Sequence, residues 1–291
     1  LNTVGSDKDQ QDLDNRAPSI PGLKVVSAKV FETAATARPA TVLSPLGRGD
    51  LINRGGATLP SINLYAIFWG NTPAIDLTYQ NNVINFLTGL NCSGVTCAGL
   101  TSTIKQYVGS TALSISFKKQ YLDTTSNPPT AAPSSASIAN EVVKAVNTVA
   151  KDPLDPKGLY LVFTNNYPSS VNYCAWHSAA TAKLNGINYP FTLGYMPNVS
   201  GVSGCSASIL PNFKQSGLGL GFDSLFNVTT HELYETMSDP MTSGNGWIDS
   251  KGYENGDKCS WYWSTPLVQS ALTFYVQLEY SNAIHGCAAS S

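Results

Sequence analysis

From residue 62 onward, short apolar runs alternate with stretches rich in Gly, Pro, Asn and Ser, and each run predicts an element. Ile62-Asn63-Leu64-Tyr65-Ala66-Ile67-Phe68-Trp69, closed by Gly70, is β-branched and aromatic and predicts a buried strand. Leu77, Val83, Ile84 and Leu87 fall at helical spacing within Ile75 to Leu90, and Leu100 to Val108 predicts a shorter helix. Thr111 to Tyr121 alternates as a strand, residues 124 to 136 form a Pro-rich loop, and Ile138 to Val149 is helical in pattern. Gly158 to Phe163 reads as a second apolar strand. Residues 165 to 189 read as a cysteine-containing loop region, followed by a strand near Phe191 to Tyr195 and a Gly/Ser-rich stretch to 221. Asp223 to Ser238 predicts the last helix and Leu272 to Tyr280 the last strand. This order suggests an α/β or α+β fold, a mixed sheet flanked by helices.

The first 18 residues are polar and acidic without apolar period and read as a flexible lead-in. Residues 19 to 57 read as an extended segment wrapped over the body or the remnant of a pro-region. Residues 58 to 291 are expected to form one domain.

Composition narrows the function classes. Charged residues make up 12% of the chain and the net charge is -2, so there is no basic field for a nucleic-acid backbone. The apolar runs fall short of the roughly 20 residues that span a bilayer, and no membrane association is expected. Six cysteines and the sequons at Asn91, Asn198 and Asn227, on a chain rich in Ser, Thr, Asn and Gly, point to a secreted, disulfide-bonded, glycosylated monomer. Cys92 and Cys97 are local, Cys174 and Cys205 flank one segment, and Cys259 and Cys287 bracket the C-terminal strand, which favours sequential pairing.

The concentrated chemistry lies in Thr230-His231-Glu232-Leu233-Tyr234-Glu235. Residues four apart share a helical face, so His231 and Glu235 are placed to hold one metal ion, with Asp239 extending the row. Glu232 points about 100° away and is the candidate general base for a metal-activated water. Zinc is the first expectation. A carboxylate in place of a second imidazole makes the site harder, however, and calcium or manganese are alternatives. The competing reading is an amphipathic helix whose polar side chains face solvent.

Downstream, Trp247 to Cys259 carries Asp249, Glu254, Asn255 and Asp257 in a Gly-bearing loop, from which Glu254 or Asp257 is the candidate third ligand. His177, in Cys174-Ala175-Trp176-His177, is a candidate to line the cleft and assist catalysis. His285 reads as an exposed residue, and Trp261 and Trp263 as either an aromatic rim or packing residues. There is no Gly-x-Ser-x-Gly elbow and no phosphate loop.

Two resemblances follow from these residues. His231-Glu232-Leu233-Tyr234-Glu235, Ser238-Asp239-Pro240, Gly246-Trp247, Asp249, Glu254-Asn255-Gly256-Asp257-Lys258-Cys259 and Glu279-Tyr280-Ser281-Asn282 resemble the C-terminal half of a group of secreted bacterial and fungal proteins. These carry a His-Glu-x-x-Glu helix and are similar to zincin-type metallopeptidases. More distantly, Phe68-Trp69-Gly70, Cys174 to His177, Cys205 and Asp239-Pro240 are similar to the plant phosphate-induced, exordium-like secreted proteins, which lack the His-Glu pair. The first resemblance implies a zincin-like domain and a metal-dependent hydrolase acting on a peptide or protein substrate. The alternatives are a non-catalytic binding or signalling protein with a structural calcium, and a carbohydrate-active hydrolase that sets Glu232 and Glu254 about a polysaccharide cleft.

Overall fold

The computed structural model describes residues 20–33, 45–109, 111–242, 245–262, 265–269 and 272–290; the lead-in over the first 18 residues and Trp263 lie outside them. In chain order, β1 (Lys24–Val25), β2 (Lys29–Glu32) and β3 (Ile52–Asn53) precede β4 (Ser61–Trp69). Helix α1 (Leu77–Gly89), β5 (Cys92–Ser93), the short α2 (Lys105–Val108), β6 (Ser114–Asp123), α3 (Ser135–Val143) and β7 (Gly158–Thr164) follow. A hairpin of β8 (Tyr173–Leu184) and β9 (Ile187–Met196) leads to the 19-residue helix α4 (Leu220–Ser238). The chain ends with β10 (Trp247–Ile248), the single turn α5 (Asn255–Lys258), and the hairpins β11 (Thr265–Gln269) with β12 (Leu272–Val276) and β13 (Glu279–Ser281) with β14 (Gly286–Ala288).

The main sheet runs β1-β8-β9-β7-β4-β6-β5, with β2 also on the outer edge of β8. Its centre is parallel (β9, β7, β4, β6), and β8 and β5 are antiparallel to their neighbours. Both faces are covered, which is why β4 and β7 read as continuous apolar runs. Leu64, Phe68, Leu161 and Phe163 point to the face that carries α1 and α4, where Phe86 and Phe226 stack at 3.9 Å. Ile67, Trp69, Tyr160 and Val162 point to the other face, against Ile138, Val142 and Val146 of α3 and the turn after it.

The fold is therefore a mixed sheet flanked by helices, as the alternation of elements implies. The loop expected over 165 to 189 is the main correction: from Tyr173 it is the β8–β9 hairpin, and β8 is the longest strand among the described residues. Its sequence, Cys-Ala-Trp-His-Ser-Ala-Ala-Thr-Ala, is dominated by small residues because α4 crosses this part of the sheet, and small side chains fit where a helix approaches a strand closely. The strand expected over Leu272 to Tyr280 breaks at Gln277 and Leu278 into β12 and β13, which belong to different hairpins. The described part of the N-terminal segment is built into the fold, with β1 and β2 on β8 and β3 paired with β10.

The disulfides are Cys92–Cys97, Cys174–Cys205 and Cys259–Cys287, the sequential pairing. They fit an oxidising compartment. No helix among the described residues is long and apolar enough to cross a membrane. Asn91 is exposed, but Asn227 is buried in α4 and accepts a hydrogen bond from the Gln277 amide through Oδ1, so its sequon is closed to glycosylation in the folded chain.

Candidate metal centre

Beyond its first turn, helix α4 has no solvent face. Every residue from Asp223 to Ser238 is buried, and the hydroxyls of Ser224, Thr229, Thr230, Thr236 and Ser238 fold back onto carbonyls of the preceding turn. That internal satisfaction lets a polar helix lie in the core, and it removes the solvent-facing amphipathic reading. His231, Glu232 and Glu235 consequently project into protein rather than water.

Five other segments meet them. Strand β8 brings His177, and the turn at α5 brings Glu254, Asn255 and Asp257. The break after β12 brings Gln277 and β13 brings Glu279, while β2 lays Lys29 and Phe31 across the open side. His177, His231, Glu232, Glu254 and Glu279 are fully buried; the Asp257 side chain keeps 22% exposure. Gly256 is required at the meeting point, because a Cβ there would lie 2.8 Å from His231 Nδ1 and 2.9 Å from Glu235 Oε1. With no side chain at 256, the Asp257 amide can donate to Glu235 Oε1 at 2.8 Å.

Each expected residue can now be placed. His231 Nε2 stands 3.0 Å from Glu235 Oε1 and 3.7 Å from Asp257 Oδ1, and it has no hydrogen-bond partner. The Gln277 side-chain amide nitrogen donates to His231 Nδ1 and to Gly256 O, both at 2.9 Å, so the neutral ring carries its proton on Nε2. Glu254, expected as an alternative third ligand, lies 3.7 Å from His177 Nε2, and neither of its carboxyl oxygens has a hydrogen-bond partner. Two groups of donor atoms converge to within 4.8 Å: His231, Glu235 and Asp257, and His177, Glu235 and Glu254.

Asp239 belongs to neither group. The helix ends at Ser238, and Asp239 turns out of helical conformation with φ -141° and ψ 67°. Burial raises its pKa, against the pull of Lys29 and of the Gly246 and Thr242 amides.

Glu232 is not free, as the helical wheel suggests, because His177 occupies its direction: Glu232 Oε2 lies 2.9 Å from His177 Nδ1. The opposite ring nitrogen of His177 faces the Asp239 carbonyl at 3.3 Å. Trp261 is a packing residue, stacked on Phe31 at 4.8 Å, and His285 is exposed and pairs with Asp50 at 2.9 Å.

Electrostatics follow from the burial. Desolvation lowers His231 to about 4 and His177 to about 3, so both rings are neutral at pH 7. Burial, then mutual repulsion, lifts Glu232, Glu235 and Glu254 well above the ordinary carboxylate range. One hydrogen bridges Glu232 Oε2 and His177 Nδ1 at 2.9 Å, and the upward shift of Glu232 favours its protonated form there. The cation facing this group is Lys29. Burial disfavours its charge, but Glu254, Asp257, Glu235 and Asp239 outweigh that and raise its pKa above 10.5.

The sequence pattern identified the α4 residues and the α5 turn. It missed Lys29, Phe31, Gln277 and Glu279, which come from strands or their ends distant in the chain. Phe31 stacks on the His231 ring at 3.8 Å and 10°, and Glu279 accepts from Asn255 at 2.7 Å. A surface cavity of about 350 Å³ lies beside Lys258, lined by Leu46, Asp50, Tyr280 and His285, and its lining includes none of the His–carboxylate group.

No protein-family model, curated protein or solved structure matches the chain.

Proposed function

We propose that the protein is a secreted, divalent-metal-dependent hydrolase of the zincin-like kind, with a peptide or protein as substrate and its centre on α4. One observation carries the reading: buried carboxyls outnumber the cation they face, and His231 Nε2 and both oxygens of Glu254 stand in that cluster without hydrogen-bond partners. Leaving such groups unpaired in the interior costs several kcal/mol in order of magnitude, and a divalent ion compensates them. Neutral imidazole with carboxylate oxygens is a donor set suited to zinc or manganese.

His231, Glu235 and Asp257 would hold the ion. For Nε2 to act as the donor atom, the His231 proton would move to Nδ1 and the Gln277 amide would turn to accept it through Oε1, giving up its bond to Gly256 O. A divalent ion supplies Lewis-acid stabilisation of negative charge developing on a carbonyl or a water. Glu232 and His177, 2.9 Å apart, form the pair that takes up and returns a proton. The aromatic wall of Phe31 and Trp261 excludes water from the His231 side.

The test compares wild type with Glu232→Gln in metal content and in cleavage of a mixed peptide library. The expected result is unchanged metal and turnover reduced at least a hundredfold. Equal turnover removes Glu232 from the mechanism. A second reading, a structural cation in a non-catalytic binding protein, is favoured by the complete burial of His231 and Glu232. It predicts that chelation lowers the melting temperature while no peptide is cut by either form.

A further inference from the structure

The His–carboxylate cluster divides into two donor sets that share one residue. His231 and Asp257 lie on one side of Glu235, and His177 and Glu254 on the other. They address opposite oxygens of its carboxylate. Oε1 stands 3.0 Å from His231 Nε2, and Oε2 stands 3.8 Å from His177 Nδ1. His231 Nε2 also lies 3.7 Å from Asp257 Oδ1, and the other ring nitrogen of His177, Nε2, lies 3.7 Å from Glu254 Oε1. Ligands bound to one first-row ion at about 2.0–2.2 Å are themselves about 3–3.5 Å apart; within each set one donor atom from each residue lies within 4.8 Å of the others, so each set must draw in to hold an ion.

A cluster of acidic groups alone does not make a site. Here the second set contains a fully buried Glu254 with neither oxygen hydrogen-bonded.

We propose that the α4 centre takes two divalent ions bridged by the Glu235 carboxylate, one held with His231 and Asp257 and the other with His177 and Glu254. A bridging carboxylate sets two ions about 3.5–4 Å apart, the separation at which paired ions act on a single substrate group. The proposal rests on the metal reading of the preceding subsection and assigns His177 and Glu254 to the second ion.

The test uses the full chain and Mn²⁺ alone as the probe, with elemental analysis after dialysis and low-temperature EPR. The expected result is two manganese ions per chain with an exchange-coupled spectrum. His177→Ala is expected to keep one ion, with the spectrum of an isolated centre; Glu254→Gln repeats the measurement should the histidine variant fail to fold. A single ion in wild type, unaffected by either substitution, overturns the two-ion centre and leaves the metal reading standing. No bound manganese overturns both.

Discussion

Phe31→Ala is the sharpest single perturbation of this arrangement, because one ring both packs the core and covers the centre. The side chain is 1% exposed, lies flat on His231 at 3.8 Å and touches Trp261 at 4.8 Å. Truncating a buried phenylalanine costs about 3–5 kcal/mol, of which stacking accounts for roughly 0.5–1.5 kcal/mol. Unfolding entropy of about 2.1 cal/mol/K per residue gives roughly 0.6 kcal/mol/K for a chain of 291 residues, so Tm should fall by about 5–8 °C. Differential scanning calorimetry measures that shift. The same substitution removes the wall beside His231, so loss of the proposed metal to an external chelator should accelerate at least tenfold under native conditions. A Tm within one degree of wild type, together with an unchanged chelation rate, would refute the view that Phe31 closes the centre.

Further outcomes are expected away from the centre. Burial and the neighbouring Asp123 raise Glu141 to about 9; Asp123, despite its own burial, is held at about 2 by hydrogen bonds from Glu141, Lys144 and Thr125. Glu141 therefore contributes stability that is complete below its unfolded value of 4.5 and lost as pH rises toward about 9, whereas the Asp123 contribution is present above 3.8 and lost as pH falls toward about 2. Urea titrations of Glu141→Gln should show a flatter decline than wild type between pH 4.5 and about 9, and an identical decline would count against the assignment. Replacing Cys174 and Cys205 by Ala opens a loop of 31 residues, for which chain entropy gives a loss of about 3.7 kcal/mol; thermal melts should show a fall of about 6 °C.

What the sequence disclosed follows from how local each signal is. β4 and β7 stand out because strands covered on both faces need unbroken apolar runs, and α4 stands out through its period. Cysteine proximity alone was enough to pair the disulfides. His231, Glu235 and the Glu254-to-Asp257 turn were recognisable because their relation is a helical spacing followed by a short loop. Other features depend on tertiary partners. β8 was hidden because its small residues answer to the helix crossing above it rather than to alternation. Lys29, Phe31 and Gln277 were hidden because nothing near them in the chain marks a site. The pairing of Glu232 with His177 escaped notice for the same reason: a helical wheel gives a direction but not what waits there.

The placement of β2 carries a consequence for biosynthesis. Lys29 donates to the Gly252 carbonyl across 223 residues, and Trp261 reaches the Glu32 carbonyl across 229. A ribosome therefore delivers this strand long before β8, α4 or the α5 turn exists to receive it. The part of the chain made early can dock only once those later segments have followed it, and until it does His231 lacks the cover of Phe31. The proposed ions would thus have a natural interval for loading, after α4 has packed on the sheet and before an edge strand settles over it. The ions available in the compartment where folding finishes, more than those met later, would set what the mature protein carries.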